Sequence, residues 1–237
     1  MDISELSSKL VLWLQERVKD ANADGAVFGM SGGIDSAVVG VLCKKAFGQN
    51  ALALIMPCYS DEKDERDARL VIDLFGLNYK KVVLDKVYDE LVQAAGDTKN
   101  MMAKANIKPR IRMTTLYYYA AINNYLVVGA TNKSEVMVGY FTKHGDSGSD
   151  LWPIANLVKS QVWDLGRFLG IPKEIIDKPP TAGLWSGQTD EKEMGISYKE
   201  LDNYILNGDA PLDVVERIKS LNSKSNHKRH LPLIPGF

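Results

Sequence analysis

Apolar residues in this chain recur either at helical spacing or in short continuous runs. Ahead of the first strand, apolar positions three and four residues apart predict an amphipathic helix: Ile3, Leu6, Leu10, Leu14 and Val18. The same reasoning predicts helices over 37–46, from 61–67 onward, over 87–126, over 157–169 and over 212–221. Short apolar runs predict buried strands ending at Phe28 and spanning 51–56, 82–84 and 126–128.

The order of these elements predicts the fold class. Strands alternate with helices, which is typical of an α/β fold with a doubly wound, mostly parallel sheet and flanking helices. The long helical stretch is expected to be interrupted at Gly96 and at Pro109. Ligands of such sheets bind beyond the carboxyl ends of the strands, where the turns after Phe28 and at Gly129 fall.

One strand-to-helix turn carries a motif suited to binding phosphate. It comprises Gly29, Met30, Ser31, Gly32, Gly33, Ile34, Asp35 and Ser36. Glycines let the backbone approach a ligand closely, and a helix N-terminus presents free N–H groups and a dipole that favours anions. Ser31 and Ser36 can add hydroxyl donors. An ordinary turn, with Ser31 as a cap and Asp35 offsetting the helix dipole, is the alternative interpretation.

The motif differs from two better-known phosphate-binding loops. Ile34 stands where a Walker loop has its second glycine, and no Gly-Lys-Ser/Thr follows at the required spacing. The dinucleotide fingerprint would need glycine at both Ser31 and Ile34.

Composition narrows the classes of partner. The 29 basic and 30 acidic residues nearly cancel, so the overall charge favours neither nucleic acid nor an anionic membrane as a partner. Cys43 and Cys58 have neither disulfide-framework nor zinc-ligand spacing. No apolar stretch is long enough to span a membrane, and no secretory leader is recognisable, so a cytoplasmic location is expected.

Two polar, glycine-containing segments are predicted to be loops. Residues 139–148 are glycine-rich, and residues 178–195 are rich in proline, glycine, threonine and acidic residues. The second segment is long enough to form a mobile lid.

The motif over 29–36 resembles the SGGxDS signature of the ATP pyrophosphatase (PP-loop) superfamily. Together with the segments 106–113, 139–146, 178–182 and 227–230, it closely resembles the ammonia-dependent NAD+ synthetases. The resemblance implies one synthetase domain over 1–237 with an adenine nucleotide alpha hydrolase-like fold. It also implies a homodimer whose substrate site lies at the subunit interface.

The resemblance implies a ligase that completes NAD biosynthesis. The nicotinate carboxylate of deamido-NAD+ attacks ATP with Mg2+ present, which releases pyrophosphate and forms an NAD-adenylate, and ammonia then displaces AMP. Positioned N–H donors, a lysine and Mg2+ suit the charge that develops on pyrophosphate.

The resemblance also assigns residues. Asp35 and Glu135 are expected to bind Mg2+, since hard cations take oxygen ligands. ATP is expected on residues 29–36, Lys159 and Thr181. The family's threonine in the turn before Glu135 falls on Ala130, with Thr131 adjacent, so either Thr131 or the main chain makes that contact. Deamido-NAD+ is expected on Arg110, Lys143, Asp150, His227 and Lys228, and Asp146 is the candidate base for the ammonia step.

Three alternatives remain open from the sequence. A GMP-synthetase-like or tRNA-thiolating PP-loop enzyme would use the same loop, although thiolation typically needs reactive cysteines. A non-catalytic protein that binds ATP is a second alternative. A separate glutaminase supplying the ammonia is a third possibility, since the chain itself has no room for an amidase domain.

Overall fold

The computed structural model describes residues 2–185, 187–232 and 234–236. In these residues a sheet of four parallel strands has the order β3-β2-β1-β4. The strands are β1 (Gly25–Gly29), β2 (Ala51–Ile55), β3 (Asn78–Lys81) and β4 (Tyr125–Val127). The predicted fold class is confirmed.

Helices precede, connect and follow the strands. In the first part of the chain they are α1 (Ile3–Asp20), α2 (Ile34–Phe47), α3 (Glu62–Phe75), α4 (Asp85–Ala95), α5 (Met101–Ala105) and α6 (Ile107–Asn123). After β4 they are α7 (Lys133–Val138), α8 (Lys159–Leu169), α9 (Lys173–Ile176), α10 (Asp190–Met194), α11 (Tyr198–Asn207) and α12 (Leu212–Lys224). None of the described helices is long and apolar enough to cross a membrane.

The alternation of side chains along the central strands explains why both faces of the sheet are covered. Ala26 and Phe28 of β1 pack into one apolar cluster with α1, α2 and α8, whereas Val27 packs into a second cluster with α6. Successive side chains of a strand point to opposite faces, so a buried parallel strand must be apolar throughout. A third cluster joins α7, α10, α11 and α12 behind the carboxyl edge of the sheet.

The prediction of a strand over 82–84 is wrong. The third strand lies earlier, over Asn78–Lys81, and all four of its residues are exposed. It is an edge strand that pairs with β2 alone, so its side chains are polar and give no apolar signal. The apolar residues that follow begin the turn into α4, where Leu84 packs under the sheet.

The predicted interruption at Pro109 is also wrong. Pro109 is the third residue of α6, and the helix continues through it to Asn123. The first N–H groups of a helix have no partner within it, so a proline in the first turn removes no hydrogen bond. The predicted interruption at Gly96 is confirmed, and a second break falls at Asn106, between α5 and α6.

Candidate active site

A large cavity opens at the carboxyl ends of β1, β2 and β4. Its volume is about 570 Å³. Four segments contribute to its walls: the phosphate loop (residues 29–36), residues 128–130, the loop 139–146 and residues 178–190. We call residues 178–190 the lid; Ser186 within it lies outside the residues that the structure describes. Segments that are far apart in the sequence therefore share one site, at the edge where parallel strands place ligands.

The phosphate loop is held in a tight conformation by its own serines. Ser36 Oγ donates to the Gly33 carbonyl (2.9 Å) and accepts from the Ser31 backbone N–H (3.2 Å), and the two hydroxyl oxygens are 3.0 Å apart. Gly32 has a φ of +79°, and a Cβ there would lie 2.4 Å from the Asp64 carbonyl oxygen. Every predicted residue of this loop lines the cavity except Gly32, which packs against α3.

Two carboxylates and a lysine meet beside the loop. Lys159 is 1% exposed, its amine donates to Asp35, and it lies 4.0 Å from a Glu135 oxygen. Burial and the neighbouring Asp35 raise the pKa of Glu135 well above its ordinary value. Burial alone would lower the pKa of Lys159, but the two carboxylates outweigh it and hold that pKa above its ordinary value.

Local structure places these groups. Asn132 caps α7, and Glu135 reaches back to the Asn132 N–H (3.1 Å) in a capping box. The Asn132 side chain also donates to Asp35 (3.0 Å), which ties α7 to the start of α2.

At the start of α8, Asp202 accepts from the N–H of Ser160 (2.7 Å) and fixes the turn that carries Lys159. Paired carboxylates open to a cavity are the ligands that a magnesium ion prefers, so this donor set fits the predicted metal.

The loop 139–146 supplies the opposite wall. Asp146 accepts a hydrogen bond from the Thr142 N–H (2.9 Å) and lines the cavity. The Asp146 side chain is exposed to the cavity, but protein lies around it on the other sides. The resulting loss of solvation raises the pKa of its carboxyl. Lys228 donates to the carbonyls of Gly139 (2.9 Å) and Phe141 (2.8 Å) and so holds this loop in place.

The lid lies over the cavity. Lys108 of α6 donates to the Leu184 carbonyl (2.9 Å), and the Asp190 N–H donates to the Pro180 carbonyl (3.1 Å). Thr181 lines the cavity, and its hydroxyl accepts from the Gly183 N–H (3.1 Å). The segment predicted to be a loop over 178–195 also contains the short helix α10.

Comparison with known proteins shows the family of this chain. Residues 6–232 match the NAD synthase family. The chain belongs to this family. The NH3-dependent NAD+ synthetase of Carboxydothermus hydrogenoformans is 51% identical over 98% of this chain and 97% of its own length. That of Finegoldia magna is 51% identical over 97% and 95%.

Solved structures agree with the family assignment. The NMN synthetase of Francisella tularensis superimposes with a TM-score of 0.97 at 40% identity and covers 100% of both chains. The NH3-dependent NAD synthetase of Campylobacter jejuni gives 0.83 at 32% identity and covers 99% of both. Membership of this family argues against a GMP-synthetase-like or tRNA-thiolating enzyme.

The sequence leaves open whether Ala130 or Thr131 approaches ATP. Ala130 lines the cavity, whereas Thr131 is 5% exposed and is not among the described residues that line it. The geometry favours a main-chain contact in this turn of the NAD synthase fold.

The predicted substrate residues fall into two groups. Lys228 lines the main cavity and, together with Lys143, a second pocket of about 350 Å³. Arg110 and Asp150 lie outside both: Arg110 is exposed and donates to the Lys143 carbonyl (3.3 Å), and Asp150 accepts from the Tyr117 hydroxyl (2.9 Å). His227 is exposed in a short 3₁₀ turn.

Sequence reasoning missed two charged groups of this site. Lys178 pairs with Asp64 and Asp67 under the lid. Asp190 is 4% exposed, accepts from the Tyr198 hydroxyl (3.0 Å), and has a second oxygen with no hydrogen-bond partner among the described residues. Lys178 begins one of the segments that carry the family resemblance, but its ion pairs depend on residues 114 and 111 positions away, so sequence reasoning assigned it no role. Asp190 lies in an acidic stretch that looks solvent-exposed in the sequence.

Proposed function

We propose that this chain is a ligase that converts deamido-NAD+, ATP and ammonia into NAD+, AMP and pyrophosphate through an NAD-adenylate. The observation that carries the proposal is one cavity in which the phosphate loop, the Asp35–Glu135–Lys159 group and Asp146 face a common space. Family membership and relatives of matching length support the same reaction.

The first step forms the adenylate. A carboxylate cannot react directly with ammonia, so its oxygen attacks the α-phosphorus of ATP, and the bond to the β-phosphate oxygen breaks. The phosphate loop presents N–H groups to the polyphosphate, and Lys159 offers a buried positive charge to it. Mg2+, held by Asp35 and Glu135, would neutralise charge on the phosphates.

The second step forms the amide. Neutral ammonia attacks the acyl carbon, AMP leaves with the bonding electron pair, and the nitrogen loses a proton. Asp146 is the group we assign to accept that proton, because its raised pKa makes its carboxylate a stronger base than an exposed aspartate.

A homodimer would complete the substrate site. Arg110 and Asp150 lie outside the cavity, near the outer face of α6. The same helix exposes Tyr118 and Ile122 one turn apart, and the neighbouring α4 exposes Val87 and Leu91 with the same spacing. Burying these residues against a second copy would bring the exposed substrate residues into an enclosed site.

The proposal is tested by measuring product formation from ATP, Mg2+ and deamido-NAD+ with ammonium or glutamine supplied separately. We expect NAD+, AMP and pyrophosphate in equal amounts with ammonium alone. Asp35→Asn should abolish all three products, whereas Asp73→Asn, an exposed carboxylate on α3, should leave them unchanged. Pyrophosphate without NAD+ would reject the nitrogen donor, and ATP binding without pyrophosphate would indicate a non-catalytic protein.

A second candidate substrate is nicotinic acid mononucleotide, which the same chemistry would convert into NMN. The superposition over the whole length of an NMN synthetase favours this candidate. The two substrates share the nicotinate end and differ in the adenosine half. Comparing kcat/KM for both separates them, and the presence of Arg110 and Asp150 leads us to expect the dinucleotide to be preferred.

A further inference from the structure

Lys178, the first residue of the lid, contacts the outer side of the phosphate loop. Its amine donates to Asp64 (2.8 Å), to Asp67 (2.5 Å) and to the Gly32 carbonyl (3.3 Å). The Lys178 and Asp67 side chains are each 12% exposed and that of Asp64 is 26% exposed. Three segments that are far apart in the sequence therefore meet at one ammonium group.

The two aspartates lie close to where the polyphosphate must bind. The first turns of α3 pack against Gly32 so tightly that a Cβ on Gly32 would lie 2.9 Å from the Asp67 Cβ. Asp64 itself lines the cavity. Two uncompensated carboxylates at this distance would repel ATP, because charge repulsion is screened poorly in a partly buried site.

The geometry excludes a direct phosphate contact for Lys178 in this arrangement. An ammonium group has three N–H donors. Here Asp64, Asp67 and the Gly32 carbonyl take all three. The lysine is thus occupied as a counter-ion and is not free to bind a ligand.

We propose that Lys178 is a positioning residue for nucleotide binding. Its single positive charge offsets part of the charge of Asp64 and Asp67, and its hydrogen bonds hold the Gly32 peptide and connect the lid to the phosphate loop. The inference rests on the proposed function for the identity of the nucleotide as ATP.

The test measures binding of α,β-methylene-ATP with Mg2+, which needs no deamido-NAD+. Lys178→Met should weaken binding by about tenfold or more, because it leaves two partly buried carboxylates without a cation. Adding Asp64→Asn and Asp67→Asn to that variant should return the affinity to within about threefold of the wild type. Lys178→Arg, which keeps the charge, should retain most of the affinity.

Lys173→Met is the matched control. Lys173 forms an ion pair with Asp177 just before the lid, but its side chain is 89% exposed. Losing this pair should leave nucleotide affinity unchanged, since exposed pairs contribute little.

A second readout follows the lid directly. Lys192, an exposed residue of α10 just beyond the lid, is a potential site of trypsin cleavage. The nucleotide analogue should slow this cleavage in the wild type and in Lys173→Met, and should fail to slow it in Lys178→Met.

Three results would overturn the inference. One is wild-type affinity in Lys178→Met. Another is a well-folded Lys178→Met that the two asparagine substitutions do not rescue, which would indicate a direct phosphate contact. If Lys178→Met does not fold, the double variant Asp64→Asn, Asp67→Asn, which keeps Lys178, decides the question. Nucleotide binding as tight as in the wild type or tighter supports the inference, and weaker binding overturns it. A wild type that binds the analogue but makes no NAD+ would reject the proposed function and leave this inference standing.

Discussion

Asp146 and Asp190 are two carboxyl groups whose surroundings raise their pKa values for the same reason. In each the largest cause is loss of solvation, which disfavours the charged form. Both line the cavity, but Asp146 is exposed there, whereas Asp190 is only 4% exposed. The first is therefore placed to exchange a proton with a ligand, and the second mainly affects stability.

Asp146→Asn tests the proton acceptor. The asparagine can still accept from the Thr142 N–H, so the loop should keep its shape while the base is lost. We expect amide formation to slow by about 10²–10⁴-fold with adenylate formation little changed. Rapid-quench measurement of pyrophosphate and NAD+ separates the two steps.

The pH dependence of the rate of NAD+ formation is a second test of Asp146. At a constant concentration of neutral ammonia, NAD+ formation by the wild type should decline as the pH falls through the Asp146 pKa, because the protonated acid cannot accept a proton. The variant should lack this decline. An unchanged ammonia-dependent rate at every pH would remove Asp146 from the proposal.

Asp190→Asn tests the effect of a buried charge on stability. Its pKa in the folded protein lies above the value of about 3.9 expected in the unfolded chain. Between these two pKa values the folded state holds a proton that the unfolded state has lost, so the free energy of unfolding falls as pH rises. We expect the stability of Asp190→Asn relative to the wild type to increase as pH rises from about 4 to the folded pKa. Urea unfolding of both proteins at several pH values measures this, and a parallel dependence would contradict it.

At the level of elements, the phosphate loop depends on how tightly α3 packs against it. The Gly32 φ of +79° favours glycine, and the adjacent Asp64 carbonyl leaves no room for a side chain. The loop's shape is therefore set jointly by its own serines and by a neighbouring helix.

Gly32→Ala compared with Gly48→Ala separates strain from crowding. Gly48 also has a positive φ, of +59°, but no described atom lies within 4 Å of its Cβ position. Backbone strain should cost each variant roughly 1–3 kcal/mol of stability. Only Gly32→Ala should also weaken binding of an ATP analogue by more than about tenfold, since the loop must move away from Asp64. Equal binding by both variants would show that the packing against α3 is unimportant.

Element prediction succeeded where burial governs the sequence and failed at an edge. Strands β1 and β2 are buried on both faces, so their apolar runs were recognisable. The edge strand β3 pairs on one side and is polar, so the pattern placed it in the apolar turn that follows. The predicted interruption at Pro109 was wrong because the effect of a proline depends on its position in the helix. A proline in the helix interior kinks or breaks the helix, whereas Pro109 stands in the first turn of α6.

The whole molecule leaves a conspicuous apolar surface on α4 and α6. Tyr118 and Ile122 are 62% and 57% exposed. Exposed apolar residues grouped on neighbouring helices are typical of an association surface. The predicted substrate residues Arg110 and Asp150 lie on the same side of the molecule as α6, outside the cavity.

Ile122→Asp tests the proposed homodimer. A charge placed in an apolar interface should shift the protein to monomer in sedimentation velocity experiments and raise the KM for deamido-NAD+ more than that for ATP. Leu74→Asp, at a 56% exposed position on α3, is the control and should change neither. A wild-type protein that is monomeric at micromolar concentration would reject the shared site.

The sequence by itself determined the layered α/β fold and the chemistry of the phosphate loop. Both follow from local patterns: apolar periodicity reflects burial, and a glycine-rich strand-to-helix turn presents free N–H groups wherever it occurs. Resemblance to a family added the candidate residues, and the structure brings the ATP and Mg2+ candidates to one cavity, with the exceptions of Gly32 and Thr131.

Only the tertiary structure decided which charged groups meet. Lys159 pairs with Asp35 across 124 positions, and Lys178 with Asp67 across 111. In the sequence each lysine looks like an ordinary solvated residue. An ion pair depends on distance in space and on local solvation, and neither is encoded in the spacing of neighbouring residues.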